Sequence, residues 1–83
     1  DVKDDLIQKI TIHLKTDALT DEMVMALGET LKKEPGKVMV EFMFHNSDGS
    51  TLSMKPAELK IKATRTLMDF LRGQDGVEYA IND

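Results

Sequence analysis

The most constraining feature of the sequence is a run of strict alternation between residues 37 and 45. Val38, Val40, Phe42 and Phe44 fall on one side of an extended chain. This is the strongest strand pattern in the sequence, and a strand with one apolar side belongs to a sheet that buries one face and leaves the other open. The rest of the chain therefore has to supply a layer that covers the apolar side.

Two helical patterns supply that layer. Thr20 can cap a first helix, and Pro35 ends it; Thr64 can cap a second helix, which Gly73 ends. Each helix needs a stripe of apolar residues at helical spacing to face the sheet. The predicted stripes are Met23, Val24, Leu27 and Leu31 in the first helix, and Leu67, Met68 and Leu71 in the second, with Phe70 at its margin.

Alternation predicts four more strands around these helices. They are residues 8–15, the partner strand through Leu52 and Met54, a short strand at 59–63, and a last strand at 77–81. Asp48 and Gly49 are a favoured pair for the hairpin turn between the second and third strands. The order predicts an α+β two-layer sandwich of the split β-α-β (ferredoxin-like) type, with two helices on one face of a mostly antiparallel sheet.

Length limits the chain to one domain, and composition argues against several classes of function. A chain of 83 residues holds one core, which we place in residues 8–82, with residues 1–7 as a linker remnant of a longer protein or the processed start of a short one. The absence of cysteine excludes disulfides and thiolate metal sites. A net charge of -4 argues against direct nucleic-acid binding, and the short apolar runs argue against a membrane span.

The residue types of catalysis are present but do not form a site. His13 and His45 fall on the side of their strands opposite the apolar set, with Asp48 close to His45 along the chain, yet nothing signals a third orienting group or an oxyanion site. We therefore expect solvent-facing histidines, and we predict no catalytic, cofactor or metal site. Gly28, inside the first helix, is expected to pack closely against the sheet, because glycine there otherwise costs helix stability.

Two apolar residues lie on the outer side of the strongest strand, where polar residues are expected. Met39 and Met43 flank Glu41 where an open sheet face is normally polar. One interpretation is that the two methionines lie against long neighbours such as Lys9 and Lys60. The other is that Met39, Glu41 and Met43 form a docking patch, because methionine is common at adaptable binding surfaces.

Four short segments carry a family resemblance through their order and spacing. They are residues 10–14 (ITIHL), 19–22 (LTDE), 31–33 (LKK) and 35–38 (PGKV). Over about residues 8–82 the chain resembles the carboxy-terminal domain of the bacterial DNA polymerase III alpha subunit. In that family the polymerase active-site carboxylates, the PHP domain, the sliding-clamp motif and the OB-fold lie upstream of this domain.

The resemblance implies a non-catalytic domain of a DNA-directed DNA polymerase that acts in chromosomal replication in the bacterial cytoplasm. The implied partners are the tau subunit of the clamp loader, which ties the polymerase into the replisome, and a neighbouring domain of the parent chain. No cofactor is implied. The alternative from another functional class is a stand-alone small-ligand-binding regulatory domain of the ACT type, which uses the same predicted fold.

Overall fold

Five strands form one mixed sheet and two helices cover one of its faces in a computed structural model that describes residues 7–33 and 35–82. A single 3₁₀ turn follows the first strand. The elements in chain order are β1 (Lys9–Lys15), the 3₁₀ turn (Thr16–Ala18), α1 (Asp21–Lys33), β2 (Pro35–His45), β3 (Thr51–Met54), β4 (Lys60–Ile61), α2 (Arg65–Arg72) and β5 (Val77–Ile81). The predicted α+β two-layer class is confirmed.

The order of the strands differs from the split arrangement. The sheet runs β3-β2-β1-β5, and β4 also pairs with β2. β1 and β2 are parallel direct neighbours, whereas a split β-α-β unit would place another strand between them. The 11-residue β2 offers its outer edge to β4 along its first half and to β3 along its second. Alternation determines the face that each strand presents but not its neighbour, so both orders satisfy the sequence pattern.

The predicted helix caps are confirmed. The backbone N–H of Met23 donates to the Thr20 hydroxyl at 3.1 Å, and that of Leu67 donates to the Thr64 hydroxyl at 3.2 Å. Each hydroxyl satisfies one of the donors that a helix leaves free in its first turn. Gly73 ends α2, as predicted, with its N–H bonded to the carbonyl of Asp69.

The core lies between the helices and the sheet face that carries the alternating apolar residues. Its buried members are Ile10, Ile12, Leu14, Leu27, Leu31, Val38, Val40, Ile61, Ala63, Leu67, Met68, Leu71 and Val77. The prediction that Val24 belongs to the buried stripe is wrong, because its side chain is 53% exposed. Met23, Leu27 and Leu31 recur at four-residue intervals along one ridge, and Val24 is turned about 100° away from Met23.

Close glycine packing occurs at Gly36 and not at Gly28, where we predicted it. A Cβ built on Gly28 meets no atom within 4 Å, so the sheet does not require glycine at this position. A Cβ on Gly36 would lie 2.5 Å from the carbonyl oxygen of Ile61. The pairing of β2 with β4 shifts register between Pro35 and Val38, and this irregularity brings the two backbones together at Gly36.

Asn82 ties the end of β5 to the start of β1. Its Oδ1 accepts from the backbone N–H groups of Gln8 at 2.7 Å and Lys9 at 3.2 Å, and its own N–H donates to the Lys9 carbonyl at 2.7 Å. Asn82 has a positive φ of 57°, which asparagine tolerates better than most residues. Ile7 is half-buried against the core, whereas residues 1–6 of the predicted linker remnant lie outside the described part of the chain.

No helix in the part of the chain that the structure describes is long and apolar enough to cross a membrane.

Candidate docking face

The side of the sheet away from the helices presents the residues that alternate with the core. The registers of β1 with β2 and β5, and of β2 with β3 and β4, place these side chains on one surface. We call this surface the open face. Its members include Lys9, Thr11, His13, Met39, Glu41, Met43, His45, Ser53, Lys60, Glu78 and Ala80.

The three residues predicted to form a docking patch share this open face. Met39, Glu41 and Met43 are alternate residues of β2, which is an interior strand of the sheet. Met39 is 52% exposed, whereas Glu41 and Met43 are half-buried. The patch therefore presents one methionine that is about half exposed and one that is more covered.

The immediate neighbours of the two methionines differ. Met39 lies opposite Lys9 in β1 and Lys60 in β4, the two long side chains that the sequence suggested. Met43 lies opposite His13 and Ser53, which are shorter. The flanking lysine stems leave Met39 half exposed, so contact with these neighbours and contact with a partner are compatible.

Glu41 is held by an ion pair across the strands. Its Oε1 lies 2.7 Å from Nζ of Lys9, and the Lys9 ammonium lowers the pKa of Glu41 below its ordinary value by donating this hydrogen bond. Burial opposes the shift, and the charges of Lys55 and Lys9 reinforce it. The carboxylate between the two methionines is thus paired with a cation on the same face.

The structure brings together the two histidines, which we expected to face solvent. Nδ1 of His13 lies 2.9 Å from Nε2 of His45, and the rings are stacked with centroids 5.2 Å apart. One ring nitrogen donates and the other accepts. The pair is half-buried and lines a cavity of about 450 Å³ together with Lys15 and Glu78. The expected side of the sheet is confirmed, but the rings contact each other and are not simply solvent-facing.

The Asp48 carboxylate accepts hydrogen bonds within the hairpin turn. Its Oδ1 accepts from the backbone N–H of Ser50 at 2.9 Å and from the Ser50 hydroxyl at 2.6 Å, and these two donors lower the pKa of Asp48. Asp48, the acidic residue closest to His45 along the chain, is therefore hydrogen-bonded within the turn and not to the histidine. No group of three or more histidine, cysteine or acidic side chains in residues 7–33 and 35–82 could hold a metal ion.

A second apolar surface lies on the helix side of the sheet, at its hairpin end. Phe42 and Phe44 are half-buried and stacked with their centroids 6.3 Å apart, while Leu52 is 61% exposed and Met54 is also exposed. We call these four residues the hairpin patch. The 11-residue β2 spans about 36 Å and the 13-residue α1 only about 20 Å, so α1 is too short to cover the whole strand.

Residues 10–82 match the family described as DNA polymerase III alpha subunit, C-terminal domain. The chain belongs to this family. The match runs from the second residue of β1 to the residue after β5, so it includes both helices and the whole interior of the sheet. No curated protein matches the chain.

Membership in the DNA polymerase III alpha family confirms the resemblance on which the sequence analysis relied. The alpha subunit is a polymerase, which places this domain in the context of DNA replication. The match favours the alpha-subunit resemblance over the ACT type. It covers nearly every residue that the structure describes.

Proposed function

We propose that this DNA polymerase III alpha C-terminal domain is a non-catalytic interaction module whose open face binds the tau subunit of the clamp loader. Docking would tether the polymerase to the replisome in the bacterial cytoplasm. The observation that carries the proposal is the exposed Met39, with Met43 four residues further along β2, on a face whose other members are mostly polar.

The electrostatics of the open face support docking at this place. The centre of a protein interface is depleted in unpaired charge, because an unpaired charge loses its hydration when the partner arrives. Between the two methionines, Glu41 is already paired with Lys9 at 2.7 Å. A partner can therefore cover Met39, Glu41 and Met43 without burying a lone carboxylate.

The test is the affinity of the domain for the isolated tau subunit after the patch is charged. We expect Met39→Glu together with Met43→Glu to weaken binding about tenfold or more, since two carboxylates would enter the contact. Met25→Glu is the matched control, because Met25 is 65% exposed on α1 and lies away from the open face. Thermal unfolding followed by circular dichroism shows whether each variant is folded.

Two outcomes contradict the proposal. If the double variant binds tau with wild-type affinity, the open face is not the docking surface. If the double variant loses cooperative unfolding, Met39 and Met43 are structural residues. A loss of binding in Leu52→Glu, with wild-type affinity in the double variant, would move the contact to the hairpin patch.

A further inference from the structure

A cleft of about 710 Å³ lies on the helix side of the sheet between α2 and β5, away from the open face. Three cationic side chains line it, and Asp69 is the one carboxylate among the described residues that do so. The cations are Lys62, Arg65 and Arg72. We call this site the cationic cleft. It is a local excess of positive charge in a chain whose formal net charge is -4.

The cations of the cleft are poorly neutralised. Within residues 7–33 and 35–82, Lys62 and Arg65 form no ion pair, and Arg72 lies 3.8 Å from Asp69 in an exposed pair of little energetic value. Nε of Arg72 donates to the Tyr79 hydroxyl at 3.1 Å, which directs the guanidinium toward the cleft wall. The cleft therefore presents oriented positive charge that the described residues do not balance.

Arg65 is placed against the local preference of its helix. It is the first residue of α2, where the helix dipole favours a negative side chain, and the first turn of α2 contains no acidic residue. The first turn of α1, by comparison, contains Asp21 and Glu22. Helix stability therefore does not account for an arginine at this position, whereas a negatively charged ligand in the cleft would.

The remaining lining is apolar and borders the end of the sheet. Ile7, Ala63, Met68 and Ile81 contribute aliphatic surface to the cleft. β5 is the last strand on this side of the sheet in the described part of the chain. An extended segment lying beside such a strand can place apolar side chains in the cleft while its acidic side chains reach the cations.

We infer that the cationic cleft binds an extended acidic protein segment that carries apolar residues. Charge complementarity requires the carboxylates, and the aliphatic lining requires the apolar anchors. Nucleic acid fits less well, because single-stranded recognition relies on several stacking rings. Tyr79 is the one aromatic ring among the described residues of the lining, and its hydroxyl is hydrogen-bonded to Arg72. This site is independent of the open face and of the function proposed for it.

The test uses a fluorescein-labelled synthetic peptide with the repeat Asp-Ser-Leu-Ser, in which Asp and Leu fall on the same side of an extended chain. Binding is followed by fluorescence anisotropy. We expect Arg65→Glu to weaken binding about tenfold or more, since it reverses the charge at the cleft. Lys37→Glu is the matched control, because it makes the same charge change at an exposed position of β2 outside the cleft. Arg65→Glu should remain folded, because glutamate suits the first position of a helix.

Control peptides with the repeats Asp-Ser-Ser-Ser, which lacks the leucines, and Lys-Ser-Leu-Ser, which lacks the carboxylates, complete the design. Weaker binding of both supports the inference, because it shows that the apolar and the acidic residues are each needed. Equal losses in Arg65→Glu and Lys37→Glu, or tighter binding of an oligothymidine than of the acidic peptide, overturn it. Much tighter peptide binding by Asp4→Asn with Asp5→Asn also overturns it, because the occupant would then be the chain's own first residues.

Discussion

At the scale of single residues, the structure separates side chains that maintain the fold from side chains that the fold leaves free. Gly36 is needed because β2 and β4 approach each other closely, whereas a Cβ on Gly28 would meet no neighbouring element. Glu41 is held by Lys9, whereas Met39 beside it is half exposed. Two substitution experiments follow from these local differences.

The two glycines are predicted to respond in opposite directions to alanine. Gly28→Ala should raise the free energy of unfolding by about 1 kcal/mol, because alanine favours the helix and its methyl group meets nothing. Gly36→Ala should lower it by about 2 kcal/mol, because its Cβ would contact the Ile61 carbonyl and the strands would have to separate. Urea unfolding of both variants checks the pair, and a Gly28→Ala variant less stable than wild type would contradict the packing described here.

The ion pair of Glu41 makes stability depend on pH in a defined direction. The pKa of Glu41 is lowered in the folded state, so its contribution to stability is present at neutral pH and is lost as the pH falls through the acidic range. Lys9→Met should raise the pKa of Glu41 and reduce that loss. Lys60→Met is the control, because Lys60 also flanks Met39 but is not paired with Glu41.

Carboxyl titration by NMR measures the Glu41 pKa directly in the wild-type protein and in both variants. An unchanged Glu41 pKa in Lys9→Met would show that this lysine is not the main cause of the shift.

At the scale of elements, the sequence predicted what is local and missed what depends on pairing. Helix caps, turn residues and alternation are each determined by residues within a few positions of one another. The sequence therefore predicted β1, α1, β2, α2 and β5 close to their observed bounds. The contact between His13 and His45 depends on the parallel pairing of β1 with β2, two strands 20 residues or more apart in the chain. The hydrogen bonds from Gln8 and Lys9 to Asn82, and the close approach of two backbones at Gly36, likewise depend on contacts between residues far apart in the chain.

The candidate site also has a part that the sequence predicts and a part that depends on strand pairing. Alternation alone placed Met39, Glu41 and Met43 on one side of β2. The Lys9 pairing of Glu41 follows from strand order, which the alternation leaves undetermined. The cationic cleft was missed because its three cations come from a loop and from the two ends of α2.

The orientation of α1 can be tested with two neighbouring positions on the same helix. Leu27→Glu should abolish cooperative unfolding, because Leu27 is 6% exposed and an unpaired carboxylate would be buried. Val24→Glu should change the free energy of unfolding by about 0.5 kcal/mol or less, because its side chain already faces solvent. Thermal unfolding compares the two variants, and a Val24→Glu variant that fails to fold would show that the buried ridge includes Val24.

At the scale of the whole molecule, one small domain presents three surfaces of different chemistry. The open face carries two methionines on either side of Glu41, whose carboxylate is paired with Lys9. The hairpin patch is apolar, and the cationic cleft is positively charged. The family assignment places these surfaces on a DNA polymerase III alpha subunit, which acts in replication. The proposed binding of tau uses one of these surfaces, the open face, and the acidic segment inferred above uses another, the cationic cleft.

The most direct test of the proposed role is an NMR titration of the ¹⁵N-labelled domain with the tau subunit. We predict that chemical-shift changes and line broadening concentrate at Thr11, Met39, Glu41, Met43 and Ser53, which lie together on the open face. Changes confined to α1, α2 or the hairpin patch, or a spectrum unaltered by excess tau, would contradict the account.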